Sequence, residues 1–179
     1  MKIANITKKS SVWQGEKYII WTQGCNKSCK NCIAPEWQNI NGGKNIPVNE
    51  IIKDILSVKN IDGVVISGGE PFLQEKELIV LTKKIKEYIN LSIILYTGYN
   101  YKEIQNNKVL NYIDLLITGE YIENLNNDRG IAGSANQEYI FLTNKLIKNK
   151  EIYKTGERIL EFNINDNSIT MVGIPPKDF

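Results

Sequence analysis

The chain has 179 residues, of which 42% are hydrophobic and 23% charged, and these values are typical of one globular domain with its own core. Its formal net charge of +2 is too small to favour nucleic acid or a membrane surface, and we expect neither as a partner. Histidine is absent, which excludes enzymes that need a histidine base. No apolar run reaches the roughly 18 residues of a membrane helix, and no signal peptide is recognisable, so we predict a cytoplasmic protein.

The first half of the chain predicts strands and helices in alternation. A short strand is expected over residues 3–6 and a second over residues 17–23, which leads into a loop at residues 24–33. Residues 33–46 are irregular and rich in glycine and asparagine. Pro47 then opens a helix whose apolar face consists of Ile51, Ile52, Ile55 and Leu56. A buried strand follows over residues 61–67.

The second half continues this alternation. Residues 74–89 predict a helix whose apolar face consists of Leu78, Leu81, Ile85 and Tyr88. After a strand at 92–97, the capping pair Asn100 and Glu103 begins a short helix that ends near residue 113. A strand at 114–118 leads into a long loop at 119–138, and lysine-rich residues 145–150 indicate a solvated surface. A C-terminal β-hairpin extension is predicted at about residues 157–173, around the turn Asn165, Asp166 and Asn167.

These elements predict a single α/β domain over residues 1–179 with a mostly parallel sheet. A complete eight-stranded barrel needs about 250 residues, so we expect an open partial (β/α) barrel. Sites in such sheets gather at the carboxyl ends of the strands. Four segments follow predicted strands and should meet there: the loop 24–33, Gly68-Gly69-Glu70, Thr97-Gly98 and Thr118-Gly119.

The three cysteines of the chain, Cys25, Cys29 and Cys32, have the spacing C-x3-C-x2-C. An odd number in so short a stretch is not a disulfide framework. A zinc site would need a fourth ligand, which only a carboxylate is left to supply, and a Cys-x-x-Cys redox pair would leave Cys25 without a role. We favour a [4Fe–4S] cluster held by three thiolates, which leaves one iron open to another ligand.

A second motif, the Ser-Gly-Gly-Glu-Pro stretch at residues 67–71, follows the apolar run 63–66. With the cysteine motif it resembles the radical S-adenosylmethionine (SAM) superfamily. Within that superfamily the chain resembles the activating proteins of anaerobic ribonucleoside-triphosphate reductase, through Pro35-Glu36-Trp37, residues 95–99 and 113–125, and the segment 129–137. The resemblance runs from about residue 10 to residue 140. Ile33-Ala34 departs from the family's frequent His-Asn, and Thr118 from its frequent Asp.

This resemblance implies a radical SAM fold with two cofactors, a [4Fe–4S] cluster on Cys25, Cys29 and Cys32, and SAM. The residues it implies around SAM are Asn31, Cys32, Ile33, Gly68, Gly69, Glu70, Pro71, Thr97 and Thr118. No side chain is assigned as catalytic, because the cluster and SAM carry the chemistry. Ser134, Asn136 and Gln137 either reach the site or bond within their own loop. Trp21 and Trp37, which flank the cluster loop, are expected mainly to pack.

The resemblance further implies that reductive cleavage of SAM generates a glycyl radical on a partner enzyme, the anaerobic ribonucleotide reductase. Flavodoxin or ferredoxin is the implied electron donor. Three alternatives remain open. One is a radical SAM enzyme acting on a small molecule, as 7-carboxy-7-deazaguanine synthases do. The others are modification of a ribosomal peptide and a cluster- or zinc-bearing binding module without catalysis.

Overall fold

The computed structural model describes residues 1–165 and 168–177, which form strands and helices in the predicted alternation. The strands are β1 (Lys2–Ser10), β2 (Lys17–Thr22), β3 (Lys44–Asn45), β4 (Gly63–Gly68), β5 (Ser92–Thr97), β6 (Leu115–Thr118), β7 (Glu138–Phe141), β8 (Glu161–Asn165) and β9 (Ser168–Val172). The α-helices are α1 (Val48–Ser57), α2 (Glu75–Tyr88), α3 (Tyr101–Ile104) and α4 (Lys150–Thr155). None of the helices in these ranges is long and apolar enough to cross a membrane.

Seven strands form one mixed sheet in the order β3-β1-β2-β4-β5-β6-β7. The central strands β2, β4, β5 and β6 are parallel neighbours, as the alternating pattern predicted. At one side β1 and β3 pair antiparallel, and at the other side β7 pairs antiparallel with β6. Throughout residues 1–165 and 168–177 the sheet stays open between β3 and β7, in agreement with the predicted α/β class. Strands β8 and β9 form a separate antiparallel pair.

The central sheet is covered on both faces, which is why its strands are almost continuously apolar. Alternate residues of one strand point to opposite faces. In β2, Tyr18 and Ile20 face the core formed with α1 and α2. Ile19 and Trp21 face a second core, to which the chain after β7 contributes Tyr153 and other residues. The second face is therefore closed by loops, α4 and the C-terminal strands.

Two residues were assigned to the wrong surface by the helical pattern. α1 buries Ile51, Ile52 and Ile55, but Leu56 is 57% exposed. One residue turns an α-helix by about 100°, which carries Leu56 past the buried stripe. Tyr88 is 64% exposed because it is the last residue of α2 and lies beyond the packed part of the helix.

Other elements differ in extent. β1 is longer than predicted, and the helix expected from Asn100 to residue 113 is two pieces, α3 and a 3₁₀ turn at Lys108–Tyr112. The capping pair that begins it is confirmed, since Asn100 N donates to Glu103 Oε2 at 2.7 Å. Strand β7 was not predicted, nor was α4 at the end of the lysine-rich stretch. The C-terminal strand pair is present, whereas the predicted turn residues Asp166 and Asn167 lie outside the described residues.

Candidate functional site

The carboxyl ends of β2, β4, β5 and β6 lie side by side, and the loops that follow them surround a cavity of about 550 Å³. Register places Thr22 of β2 beside Gly68 of β4, and Thr97 of β5 beside Thr118 of β6. The structure brings most of the proposed site residues to the cavity wall, namely Cys25, Cys29, Cys32, Ile33, Gly68, Gly69, Glu70 and Thr97. Segments separated by more than 70 residues in sequence thus share one site.

The cysteine loop is fastened at its start by backbone hydrogen bonds. Gly24 N donates to Trp37 O at 2.8 Å, and Cys25 N donates to Gln38 O at 3.1 Å. Two residues between the cysteines, Ser28 (φ 52°) and Asn31 (φ 53°), have left-handed backbone conformations. These positive φ values turn the chain sharply, so that thiols from one short loop line the same cavity.

The three thiols are free and only partly buried, so they are available as ligands. Burial raises the pKa of Cys25 and of Cys29, although the backbone N–H of Lys27, 3.4 Å from the Cys25 sulfur, partly opposes this effect. Within the described ranges, no three cysteine or carboxylate side chains converge as the ligands of a single metal ion do. Thiolates of a cubane cluster bind different irons and stand further apart. Soft thiolates without histidine therefore fit an iron–sulfur cluster by donor chemistry.

The tip of β4 is locked to the start of the cysteine loop. Gly69 N donates to Thr22 O at 2.8 Å, and Glu70 N donates to Gly24 O at 2.8 Å. These bonds hold the backbone of Gly68 and Gly69 at the cavity wall, directly beside Cys25. The glycine motif and the cysteine motif, some 40 residues apart in sequence, form one continuous wall.

Glu70 is 1% exposed, and its carboxylate ties the end of β4 to the end of β5. It accepts hydrogen bonds from Phe72 N at 3.0 Å and from Gly98 N at 2.8 Å, and the Thr97 hydroxyl lies 3.0 Å from its Oε1. Desolvation raises the pKa of this carboxyl, while the surrounding donors act in the opposite direction. Sequence reasoning gave Glu70 a cofactor contact. The structure adds that its oxygens are already bonded to the protein.

Three of the proposed residues are not in the cavity wall. Asn31 is exposed and its side-chain amide donates to Glu123 Oε2 at 2.6 Å. Pro71 is buried at the start of a 3₁₀ turn. Thr118 is 1% exposed within β6, between its partners on β5 and β7, and only the following Gly119 lines the cavity.

The polar residues of the long loop bond mainly to that loop. Gln137 accepts from Gly133 N at 2.7 Å and donates to Gly119 O at 2.7 Å. Asn136 donates to Glu120 O at 2.9 Å, and the Ser134 hydroxyl accepts from Ile122 N at 3.1 Å. Gln137 also lines the cavity, so among the three it is the one that joins the loop to the site.

Several cavity residues were missed by sequence reasoning. Lys27, inside the cysteine motif, has its ammonium 3.7 Å from the ring centroid of Tyr99 and 3.8 Å from a carboxylate oxygen of Glu120. Trp13 Nε1 donates to the Tyr96 hydroxyl at 2.7 Å, and both residues line the same cavity. Both pairs join residues more than 70 positions apart, and no local pattern signals such contacts.

Comparison with known proteins supports this picture. The family described as "4Fe-4S single cluster domain" matches residues 13–140. The chain is 28% identical over 128 residues to the anaerobic ribonucleoside-triphosphate reductase-activating protein of Enterobacteria phage T4, covering 69% of this chain and 82% of that protein. It is 32% identical over 108 residues to the pyruvate formate-lyase-activating enzyme of Clostridium pasteurianum, covering 58% of this chain and 44% of that enzyme. A pyruvate formate-lyase-activating enzyme of Staphylococcus aureus is 37% identical over 79 residues, or 41% of this chain and 32% of that enzyme.

The family match covers more than half of the chain and contains the cysteine loop, the glycine tip of β4 and the ends of β5 and β6. The chain spans less than half the length of the two pyruvate formate-lyase-activating enzymes. The matched segment and the cavity wall coincide in most residues, so the similarity lies at the site itself. The chain therefore belongs to the 4Fe–4S single cluster domain family, among the radical SAM activating enzymes, whose cofactors are a [4Fe–4S] cluster and SAM.

Proposed function

We propose that this protein uses a [4Fe–4S] cluster and SAM to generate a glycyl radical on a partner enzyme, the anaerobic ribonucleoside-triphosphate reductase. The observation that supports it most is the shared cavity, where three free cysteines of one loop face the glycine tip of β4. The T4 relative is named for activating that reductase, and two other relatives are named for activating pyruvate formate-lyase. All three names describe a protein substrate.

Cys25, Cys29 and Cys32 would hold the cluster, and the chain has no fourth cysteine to close its remaining corner. Bound there and reduced, the cluster would supply one electron for the reductive cleavage of SAM, which is the source of the radical. The protein contributes binding, orientation and exclusion of water. No general base is required of it, because abstraction of a hydrogen atom moves the proton and the electron together.

The cavity wall divides these tasks among a few residues. The backbone of Gly68 and Gly69 would contact the methionine end of SAM, and Cys32 and Ile33 would contact its adenine. Glu70 would act chiefly by fixing the wall, since Phe72 N and Gly98 N already donate to it. Trp21 and Trp37, whose ring centroids are 4.9 Å apart, line the same cavity and would shield the reacting groups from water.

The test uses the protein reconstituted anaerobically with iron and sulfide. We expect about four irons per chain, a brown colour, and cleavage of SAM to 5′-deoxyadenosine with dithionite or reduced flavodoxin. Addition of the anaerobic reductase of the same organism should give a glycyl radical signal by electron paramagnetic resonance. A Cys29→Ala variant, matched in every other residue, should lose SAM cleavage.

The outcomes separate the possibilities. Retention of SAM cleavage without any radical on the reductase or on a pyruvate formate-lyase would contradict the glycyl-radical proposal and point to a small-molecule or peptide substrate. Binding of zinc in place of iron, with no SAM cleavage, would overturn the radical chemistry as a whole.

A further inference from the structure

Lys27 lies between Cys25 and Cys29 and supplies the single positive charge of the cavity wall, among the residues that the structure describes. The same wall contains the carboxyl groups of Glu36 and Glu70 as well as the three thiols. Every other ionisable group in this wall is an acid, which is neutral or negative. The Lys27 ammonium is therefore the group of the wall that favours negative charge in the cavity.

This ammonium group is held at a defined place. It lies 3.7 Å from the ring centroid of Tyr99 and 3.8 Å from Oε1 of Glu120, and the Lys27 side chain is only 13% exposed. The stem of the side chain crosses Gly98, where a Cβ atom would lie 2.8 Å from Lys27 Cγ. The preceding residue, Asn26, donates to the Tyr99 hydroxyl at 3.1 Å. Two successive residues of the cysteine loop thus dock on one tyrosine.

Tyr99 is itself fixed to the ends of β5 and β6. Its backbone N donates to the Thr97 hydroxyl oxygen at 3.1 Å, and its carbonyl O accepts from Gly119 N at 3.0 Å. Phe72 packs edge-on against its ring, with the ring centroids 6.3 Å apart. The sheet therefore sets the position of the Lys27 charge, which does not depend on the cysteine loop alone.

The charges at this place act on groups of the site. Burial raises the pKa of the Glu70 carboxyl, and the positive charge of Lys27 is among the influences that lower it. Burial also raises the pKa of the Cys29 thiol, and the negative charge of Glu120 acts in the same direction. Partly buried charges are screened less than exposed ones. Lys27 thus stabilises added negative charge in the cavity, whereas Glu120 opposes it.

We propose that the fixed charge of Lys27 raises the reduction potential of the cluster held by the three cysteines, and that Glu120 limits this effect. This inference rests on the part of the proposed function that places the cluster on Cys25, Cys29 and Cys32. Reduction adds one electron from an external donor, and no bond forms or breaks in that step. The potential of an iron–sulfur cluster depends on the charge and solvent around it, so a nearby cation that is shielded from water stabilises the reduced form.

The experiment measures the midpoint potential of the reconstituted cluster by titration with dithionite, without SAM or partner, and follows the reduced cluster by electron paramagnetic resonance. Lys27→Met removes the charge and keeps an unbranched stem, whereas Lys27→Arg keeps the charge. Lys30→Met is the matched control, since Lys30 lies in the same loop but is exposed and outside the cavity wall. Glu120→Gln removes the carboxylate beside the ammonium.

We expect Lys27→Met to lower the equilibrium constant for one-electron reduction about tenfold, which is a shift of about 59 mV to a more negative potential. Lys27→Arg and Lys30→Met should change it by less than about twofold. Glu120→Gln should raise it by about threefold, a smaller effect because this side chain is 51% exposed and better screened. Opposite shifts in Lys27→Met and Glu120→Gln would identify charge as the cause, since damage to packing does not depend on its sign.

Potentials of Lys27→Met and Lys30→Met that agree within about twofold in the equilibrium constant would overturn the inference and leave the proposed function standing. An equal drop in Lys27→Met and Lys27→Arg would also overturn it, because packing of the lysine stem would then set the potential. If Lys27→Met takes up no cluster, Glu120→Gln decides, and an unshifted or lower potential in that variant would overturn the inference. Failure of the unaltered protein to take up iron and sulfide would refute the proposed function and the inference together, and its iron content would identify that case.

Discussion

Two glycines at the cavity rim differ in crowding but not in backbone strain. Gly68 ends β4 with a φ of 108°, and Gly119 follows β6 with a φ of 105°. A Cβ atom at Gly68 would lie 2.4 Å from both the backbone N and O of Thr22. At Gly119 the nearest atom, Cα of Gln137, would be 3.7 Å away, which is an ordinary contact. The substitutions Gly68→Ala and Gly119→Ala therefore separate the two effects.

The left-handed conformation destabilises the folded state of a non-glycine residue by about 1–2 kcal/mol. Replacing glycine also reduces the conformational entropy of the unfolded chain, which stabilises the folded state by about 0.4–1 kcal/mol. Gly119→Ala should therefore lower the free energy of unfolding by about 1 kcal/mol. Gly68→Ala adds overpacking worth about 1–3 kcal/mol. Thr22 cannot move aside cheaply, because its backbone is paired with β1 and β4.

The assay is urea unfolding of both variants, with and without the cluster, followed by circular dichroism. We expect Gly68→Ala to be less stable than Gly119→Ala by about 1–3 kcal/mol. Gly68→Ala should also bind less iron, since a shift of Thr22 breaks the bond from Gly69 N that holds β4 against the cysteine loop. Equal stability and equal iron content of the two variants would refute the argument that close backbone contact at Gly68 builds the site.

Three further substitutions test contacts outside the cofactor ligands. Lys27→Met removes the ammonium above Tyr99, a contact worth about 0.5–2 kcal/mol, and should speed iron release to a chelator, whereas Lys27→Arg should not. Arg158→Met leaves partly buried main-chain carbonyl groups without their donor and should lower the free energy of unfolding by about 2–4 kcal/mol in thermal denaturation. Arg158→Lys should restore only part of it. Asp114→Asn leaves Lys86 without its buried carboxylate and should lower the free energy of unfolding, measured in urea, by about 3–5 kcal/mol. An unchanged urea midpoint would contradict a stabilising role of this ion pair.

The central part of the fold was predictable because its signals are local. β4 and β5 have apolar centres and alternate with amphipathic helices. This pattern predicts parallel strands that are buried on both faces of the sheet. β7 has only four residues, and its pairing with β6 depends on how the preceding loop folds back. α4 is short and mostly polar, and it is positioned by burial of Tyr153 in the second core. Such tertiary determinants leave little trace in a short window of sequence.

The site divides in the same way. The cysteine spacing predicted the metal ligands without any knowledge of the fold, and the three cysteines do line one cavity. Placement at the carboxyl ends of strands then selected Gly68 and Thr97. What could not be predicted is the part built by distant contacts: Lys27 against Tyr99, Trp13 against Tyr96, and the reach of β9 into the cavity.

Glu70 shows how a motif residue can build the structure around a cavity. Its place in the Gly-Gly-Glu-Pro stretch put it among the residues that the resemblance implies around SAM. In the structure its carboxylate binds Gly98 N and Phe72 N and meets the Thr97 hydroxyl, so it joins the ends of two strands that carry the cavity wall. A buried carboxylate is stable only where donors are fixed around it. Glu70 thus joins the strand ends that hold Gly68 and Gly69 at the cavity wall.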